Sequence, residues 1–284
     1  MRAIETLLEG LIDYAGLYPP AGLDMHAAVR NYLRSQQGRY GYALGRFVVD
    51  LNRVEEFSRV AGESAGKVRL SLIVPPASDW ARVAELLDAG LRIDAVEFRT
   101  GRVEEAAWCL KQVPSDMATY LELPVDGSAP DFLDAIGRTG GRIKLRMGGL
   151  LAEAFPASGA VTRVLSEASR RRISFKATAG LHHPVRSHHP FAYEPQSPSG
   201  MMHGFVNLFC AAALVYFGGT ATDAERVLNE EKENAWEVGD DAIGWSSMRW
   251  STVQIKEVRQ NFMSCIGSCS FEEPMRDLEA LGWL

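Results

Sequence analysis

Short apolar runs recur along this chain, and nearly every one is followed by a stretch with the apolar spacing of a helix. The runs are Leu11–Gly16, Gly45–Leu51, Val68–Val74, Ile93–Arg99, Ala118–Leu123, Arg142–Met147 and Ile173–Thr178, with a less distinct eighth at Asp241–Trp245. The helical stretches are Met25–Ser35, Val54–Ala61, Trp80–Ala89, Val103–Gln112, Asp131–Arg138, Val161–Arg171, Gly204–Tyr216 and Thr252–Ser264. Strand followed by helix, repeated, predicts a parallel sheet with helical crossovers. The count then chooses among α/β architectures. Eight units in 284 residues leave about 35 residues each, the allotment of a (β/α)8 TIM barrel. Six strands in an open doubly wound sheet would leave too much chain over. No GxGxxG follows the first run, so dinucleotide binding on such a sheet loses its main support. With no internal repeat and no dividing linker, the expectation is a single TIM-barrel domain over 1–284. A long loop rich in Pro, Ser and His, Pro184–Gly200, follows strand seven.

Composition narrows the partners. The chain is 46% hydrophobic and 23% charged, as in ordinary globular proteins. Lys and Arg number 30 against 36 Asp and Glu, a formal net charge of −6. That balance argues against nucleic acid or an anionic membrane as partner and leaves room for a local basic pocket. The longest apolar stretch, Phe205–Phe217, is interrupted by Asn207 and is too short to span a bilayer, so it reads as a buried helix. Met1-Arg2-Ala3-Ile4-Glu5 lacks the apolar core of a signal peptide. The expectation is a cytoplasmic protein, with a homo-oligomer left open. The cysteines Cys109, Cys210, Cys265 and Cys269 are too few for a disulfide scaffold, and Cys265-x3-Cys269 lacks the CxxC spacing. They read as free, buried thiols.

Barrel strands alternate between helix layer and interior. Applied to runs three to seven, this puts Arg69, Ser71 and Ile73 inward, then Ala95, Glu97 and Arg99, then Ala118, Tyr120 and Glu122, then Arg142, Lys144 and Arg146, then Ser174, Lys176 and Thr178. Six cations therefore point inward against two anions. Unpaired buried charge is costly, so a purely structural barrel should not carry this set. Arg69 and Arg142 stand near strand starts and read as ion pairs at the bottom face. The others stand at middle to C-terminal positions, where barrel active sites lie. The expectation is a pocket there that receives a small anionic metabolite.

Lys144 and Lys176 fall on adjacent strands. A lysine whose ammonium is disfavoured by neighbouring cations is a nucleophile towards a carbonyl, forming a Schiff base. Phe175-Lys176-Ala177-Thr178-Ala179-Gly180-Leu181 resembles the Lys-Ala-Ser-Gly-Gly motif of deoxyribose-phosphate aldolases. Ile143-Lys144-Leu145-Arg146-Met147-Gly148 is similar, more loosely, to their Lys-Thr-Ser-Thr-Gly. Leu11-Ile12-Asp13-Tyr14 resembles their Ile-Asp-His-Thr, and Ile93-Asp94-Ala95-Val96 their Ile-Asp-Met-Val, in the same chain order. The resemblance implies Lys144 as the Schiff-base lysine, Lys176 as its electrostatic and proton-handling partner, and Asp94 as the strand-four acid. Alternation instead turns Glu97 inward, and Glu97 is the residue expected there, with Asp13 at the end of strand one as a further acid or base. Arg146 and Met147 stand where that family has small polar residues, and Gly244-Trp245-Ser246-Ser247 only faintly resembles its phosphate-binding Gly-Thr-Ser-Ser.

Five of the six histidines fall within Leu181–His203. Their HH-x4-HH spacing fits no metalloprotease signature. The sequence reading is a Schiff-base lyase that needs no cofactor, with Lys144, Lys176, Glu97 and Asp13 catalytic. Arg99, Glu122, Arg146, Thr178, His182, His183, Arg186 and His203 would bind the substrate. The alternatives are a metal-dependent hydrolase or isomerase, in which His182, His183 and His203 hold a divalent metal with Glu97 or Glu122, and a non-catalytic barrel that binds an anionic metabolite.

Overall fold

Alternation of strand and helix carries through the folded chain. A computed structural model describes residues 1–76, 80–100, 102–123 and 130–284. The chain opens with α1 (Ala3–Leu8), then runs β1 (Ile12–Tyr14), α2 (Met25–Gln37), β2 (Leu44–Asp50), α3 (Val54–Ala61), β3 (Arg69–Val74), α4 (Trp80–Asp88) and β4 (Arg92–Phe98). It continues with α5 (Val103–Gln112), β5 (Ala118–Leu123), α6 (Pro130–Arg138), β6 (Arg142–Arg146), α7 (Ser158–Arg170) and β7 (Phe175–Thr178). A hairpin of β8 (Ser187–Pro190) and β9 (Ser199–Met202) follows, then α8 (Phe205–Tyr216) and α9 (Ala221–Leu228). Next come β10 (Trp236–Val238), β11 (Ala242–Trp245) and β12 (Met248–Ser251), then α10 (Thr252–Asn261), β13 (Met263–Ser268) and α11 (Glu272–Ala280).

Eight parallel strands close into a barrel in the order β1-β13-β7-β6-β5-β4-β3-β2. The fold is the expected (β/α)8 barrel of the α/β class. The eighth strand is not the expected one. Asp241–Trp245 does form a strand, β11, but it pairs antiparallel with β10 and β12 in a separate three-stranded sheet. The barrel is closed by β13, whose first two residues the sequence reading placed in the end of the helix Thr252–Ser264 and whose remainder it did not assign to a strand. Ser251 caps α10 by accepting from the Gln254 amide, and the helix ends at Asn261, so the chain re-enters the barrel at Met263.

The wall is built from the predicted outward faces. Leu70, Leu72, Val96, Phe98, Leu121, Leu123, Ile143, Leu145, Phe175 and Ala177 are all buried. Burying each larger aliphatic or aromatic side chain stabilises the fold by about 1.5–3 kcal/mol. α8 is apolar on every side and buried along its length, as a helix covered by other helices must be. Its one polar interior residue, Asn207, donates to the carbonyls of Val227 (2.9 Å) and Glu230 (2.8 Å) and accepts from the Arg186 amide (2.9 Å). It therefore ties α8 to the C-terminal end of α9 and to the segment before β8. Among the described residues, no helix is long and apolar enough to cross a membrane.

Candidate active site

The barrel interior holds a continuous network of buried charge. β7 supplies Lys176, whose ammonium donates to Asp13 Oδ2 of β1 and to Glu97 Oε1 of β4, each at 2.7 Å. β6 supplies Lys144, whose Nζ lies 2.9 Å from the other Glu97 oxygen and 3.2 Å from Glu122 Oε2 of β5. One carboxylate thus bridges the two amines. Ser71 of β3 donates to Glu97 at 2.7 Å, which fixes the carboxylate between them. Asp13 also accepts from the Arg46 backbone amide (2.8 Å) and the Cys265 thiol (3.2 Å), with the Arg46 guanidinium at 3.6 Å. Below Lys176 lies the Tyr120 ring, 5.3 Å from its Nζ.

Strand geometry explains why these groups meet. Register pairs Lys144 with Lys176 and Glu122 with Lys144, so side chains at one height share the barrel interior. Gly45 on β2 gives Asp13 its space, because a Cβ there would stand 2.5 Å from Asp13 Oδ1. The electrostatics follow from burial and pairing. Burial alone would raise the Asp13 and Glu97 carboxyls. Lys176 and Arg46 outweigh it at Asp13, and Lys144 and Lys176 at Glu97, holding both below the usual range. Burial alone would lower Lys176, but Asp13 and Glu97 hold it well above its ordinary value. Lys176 is therefore a fixed cation.

Above the network opens a cavity of about 450 Å³ at the C-terminal ends of the strands. Of the predicted residues, Glu97, Arg99, Glu122, Lys144, Arg146, Lys176, Thr178 and His182 line it, and Asp13 lies buried beneath, bonded to Lys176. The excess of inward cations is smaller than the alternation implied. Asp13, Glu97 and Glu122 offset Lys144, Lys176 and Arg46 in the network. Arg69 pairs with Asp94 (2.6 Å) at the barrel base, as expected of it, whereas Arg142 leans on the Tyr120 ring and, among the described residues, pairs with no carboxylate. Arg99 and Arg146 are exposed at the mouth, where Arg146 Nε lies 3.8 Å from Glu122 Oε1. The choice between Asp94 and Glu97 is resolved by a register slip. Leu70 and Ser71 face Ile93 and Ala95, so Asp94 is an extra residue that turns to Arg69, while Glu97 reaches the centre.

Two features of this wall were not singled out as site residues in the sequence. Tyr18 and Asp50 both line the cavity, and the Tyr18 hydroxyl donates to Asp50 at 2.8 Å. Burial and the Asp50 charge push this phenol up, so it keeps its proton. Cys269, just past the end of β13, faces the cavity beside His182. His182 Nε2 lies 3.9 Å from Cys269 Sγ, and Nδ1 lies 2.9 Å from Glu273 of α11. Burial alone would lower this imidazole, but Cys269 and Glu273 hold it up at about 10. Missing β13 in the sequence hid the strand-end position of Cys269.

The rest of the histidine cluster is dispersed. His183 bonds Asp277 (2.6 Å) and stacks on His189 with ring centroids 3.4 Å apart, bordering a neighbouring cavity. His203 Nε2 donates to the Pro156 carbonyl (2.8 Å), and its Nδ1 accepts from Arg186 Nη1 (3.2 Å) beside a third cavity. Burial and Arg186 bring His203 down to about 4, so it is neutral. His183, Arg186 and His203 thus stand outside the lysine cavity, whereas Phe191 and Met202 of the hairpin line it. Among the described residues, no three His, Cys, Asp or Glu side chains converge as a metal-ligand set. The four cysteines are free and buried.

No family model matches the chain, and no curated protein matches it.

Proposed function

We propose that this chain is a Schiff-base-forming lyase of the class I aldolase type, acting on a small anionic carbonyl compound. The observation that carries the reading is the placement of two amines, Lys144 and Lys176, on opposite oxygens of one buried carboxylate, Glu97, beside a cavity. The two lysines are not equivalent. Lys176 is clamped by Asp13 and Glu97 and stays an ammonium. Lys144 touches Glu122, which is partly exposed and can pass a proton to solvent. Lys144 is therefore the nucleophile and Lys176 the fixed positive charge beside it.

In the cleavage direction, the Lys144 amine attacks the carbonyl carbon and the oxygen takes a proton. Loss of water leaves a protonated imine. A carboxylate, Glu97 or Glu122, removes the β-hydroxyl proton. The Cα–Cβ bond breaks, its electrons pass to the iminium nitrogen, and an aldehyde leaves. The enamine then takes a proton at carbon, and water releases the second product. Lys176 stabilises the negative charge on the carboxylate before proton transfer and on oxygen as it develops. Arg99 and Arg146 receive the anionic end of the substrate at the mouth. The resemblance to deoxyribose-phosphate aldolases supports the same assignment of the lysines, with Glu97 in place of the strand-four aspartate.

The test is reductive trapping. The protein is incubated with acetaldehyde, pyruvate or dihydroxyacetone phosphate, reduced with sodium borohydride, and mapped by peptide mass. The reading expects a reduced adduct on the peptide containing Lys144. No adduct at Lys144 with any of the three overturns it for these carbonyl classes.

A further inference from the structure

A second reactive group faces the same cavity. Cys269 Sγ, His182 and Glu273 form a chain in which Nε2 meets the sulfur at 3.9 Å and Nδ1 meets the carboxylate at 2.9 Å. That is the order of nucleophile, base and orienting acid. Three different segments bring them together: the end of β13, the loop after β7 and the first turn of α11. The Tyr193 hydroxyl closes the cluster, 3.7 Å from the sulfur and donating to Glu273 at 2.8 Å. The neighbouring His183 ring, 6.3 Å from His182, is engaged by Asp277. Among the described residues, neither Cys109 nor Cys210 has a histidine beside its sulfur, and Cys265 bonds Asp13 beneath the cavity floor.

We propose that Cys269 is a covalent nucleophile for aldehydes, with His182 as the acid that protonates the new oxygen. Sγ gives its proton to solvent, and the thiolate, held beside the His182 imidazolium, forms a bond to the carbonyl carbon. The C=O π electrons move to oxygen, which takes the Nε2 proton, and Nε2 recovers a proton from solvent. The product is a neutral hemithioacetal, with no change of oxidation state and no leaving group. Glu273 stabilises the imidazolium. Two backbone amides near the sulfur are already engaged. The Ser270 amide donates to Ser268 Oγ (3.3 Å) and the Glu273 amide to Ser270 Oγ (3.2 Å), so both are taken as oxyanion donors. A hemithioacetal needs neither, because its oxygen is protonated. The thiol addition is separate from the amine chemistry, since no step of it uses Lys144 or Lys176.

Iodoacetamide labelling of the intact protein, resolved by peptide mapping, tests the assignment. At about pH 6, Cys269 is expected to react about tenfold faster than N-acetylcysteine, a gain of the size seen when a cation beside sulfur favours its reactive form. His182→Gln and Glu273→Gln should each remove that excess. The second variant keeps the imidazole and so separates loss of its charge from local unfolding. Acetaldehyde should slow the labelling of Cys269, and dialysis should restore it. The nucleophile is overturned if Cys269 reacts no faster than N-acetylcysteine at that pH, or if both variants keep the excess. The aldehyde assignment is overturned if acetaldehyde gives no protection.

Discussion

Replacing Glu97 by glutamine keeps the shape of the central side chain and removes its charge. In the wild type, Glu97 is 1% exposed and takes three contacts, from Lys176 and Ser71 at 2.7 Å and from Lys144 at 2.9 Å. Removing one partner of a buried ion pair costs about 3–5 kcal/mol. Each lysine keeps a second carboxylate, Asp13 or Glu122, so the cost here belongs at the lower end, about 3 kcal/mol. An unfolding entropy of about 2.1 cal/mol/K per residue gives a chain of this size about 0.6 kcal/mol/K, so Tm should fall by about 5 °C. The sign of the pH dependence is fixed by the same contacts. The folded Glu97 carboxyl is held below its unfolded value, so its stabilisation is complete above the ordinary carboxylate range and is lost as pH falls through it. The difference between wild type and Glu97→Gln is therefore largest at neutral pH and narrows in acid. Calorimetry of both proteins from neutral pH to about pH 3 measures it. A variant that melts within about 1 °C of wild type at neutral pH, or a gap that stays constant into acid, would refute the bridging role.

Other positions test other links. Gly45→Ala sets a methyl 2.5 Å from Asp13 Oδ1, and it should cost about 1–3 kcal/mol as an overpacked core does, measured by urea unfolding. Asn207→Leu removes three hydrogen bonds and leaves buried backbone groups unpaired, so about 3 kcal/mol or more should be lost in the same assay. Tyr18→Phe removes the donor to Asp50 at the cavity wall, which should lower stability by about 1 kcal/mol and reduce the yield of borohydride trapping if the pair shapes the pocket.

The alternation of Arg142-Ile143-Lys144-Leu145-Arg146 made the inward face of β6 readable, because a strand period of two leaves no freedom once one face is apolar. The same rule located Glu97 and Lys176. It failed to locate β13. Met263-Ser264-Cys265-Ile266-Gly267-Ser268 has no charged side chain and follows a helix within two residues, so no period marks its start. β11 has strand character in sequence, but periodicity does not say which sheet a strand joins. The histidines illustrate a second limit. His182 and His183 are adjacent in sequence, yet His182 turns to Cys269 and His183 to Asp277, since successive positions in an irregular loop share no face. The Asp94 bulge is a third case, because register slips arise from pairing between strands and leave no local mark.

The most direct measurement is site-resolved trapping in three proteins: wild type, Lys144→Met and Lys176→Met. Each is reduced with borohydride in the presence of the same carbonyl compound and mapped across all six lysines. The account predicts a reduced adduct at Lys144 in the wild type, none at the cavity in Lys144→Met, and a diminished yield at Lys144 in Lys176→Met. Adduct confined to Lys67, Lys111, Lys232 and Lys256, or label at Lys176 that survives loss of Lys144, contradicts it.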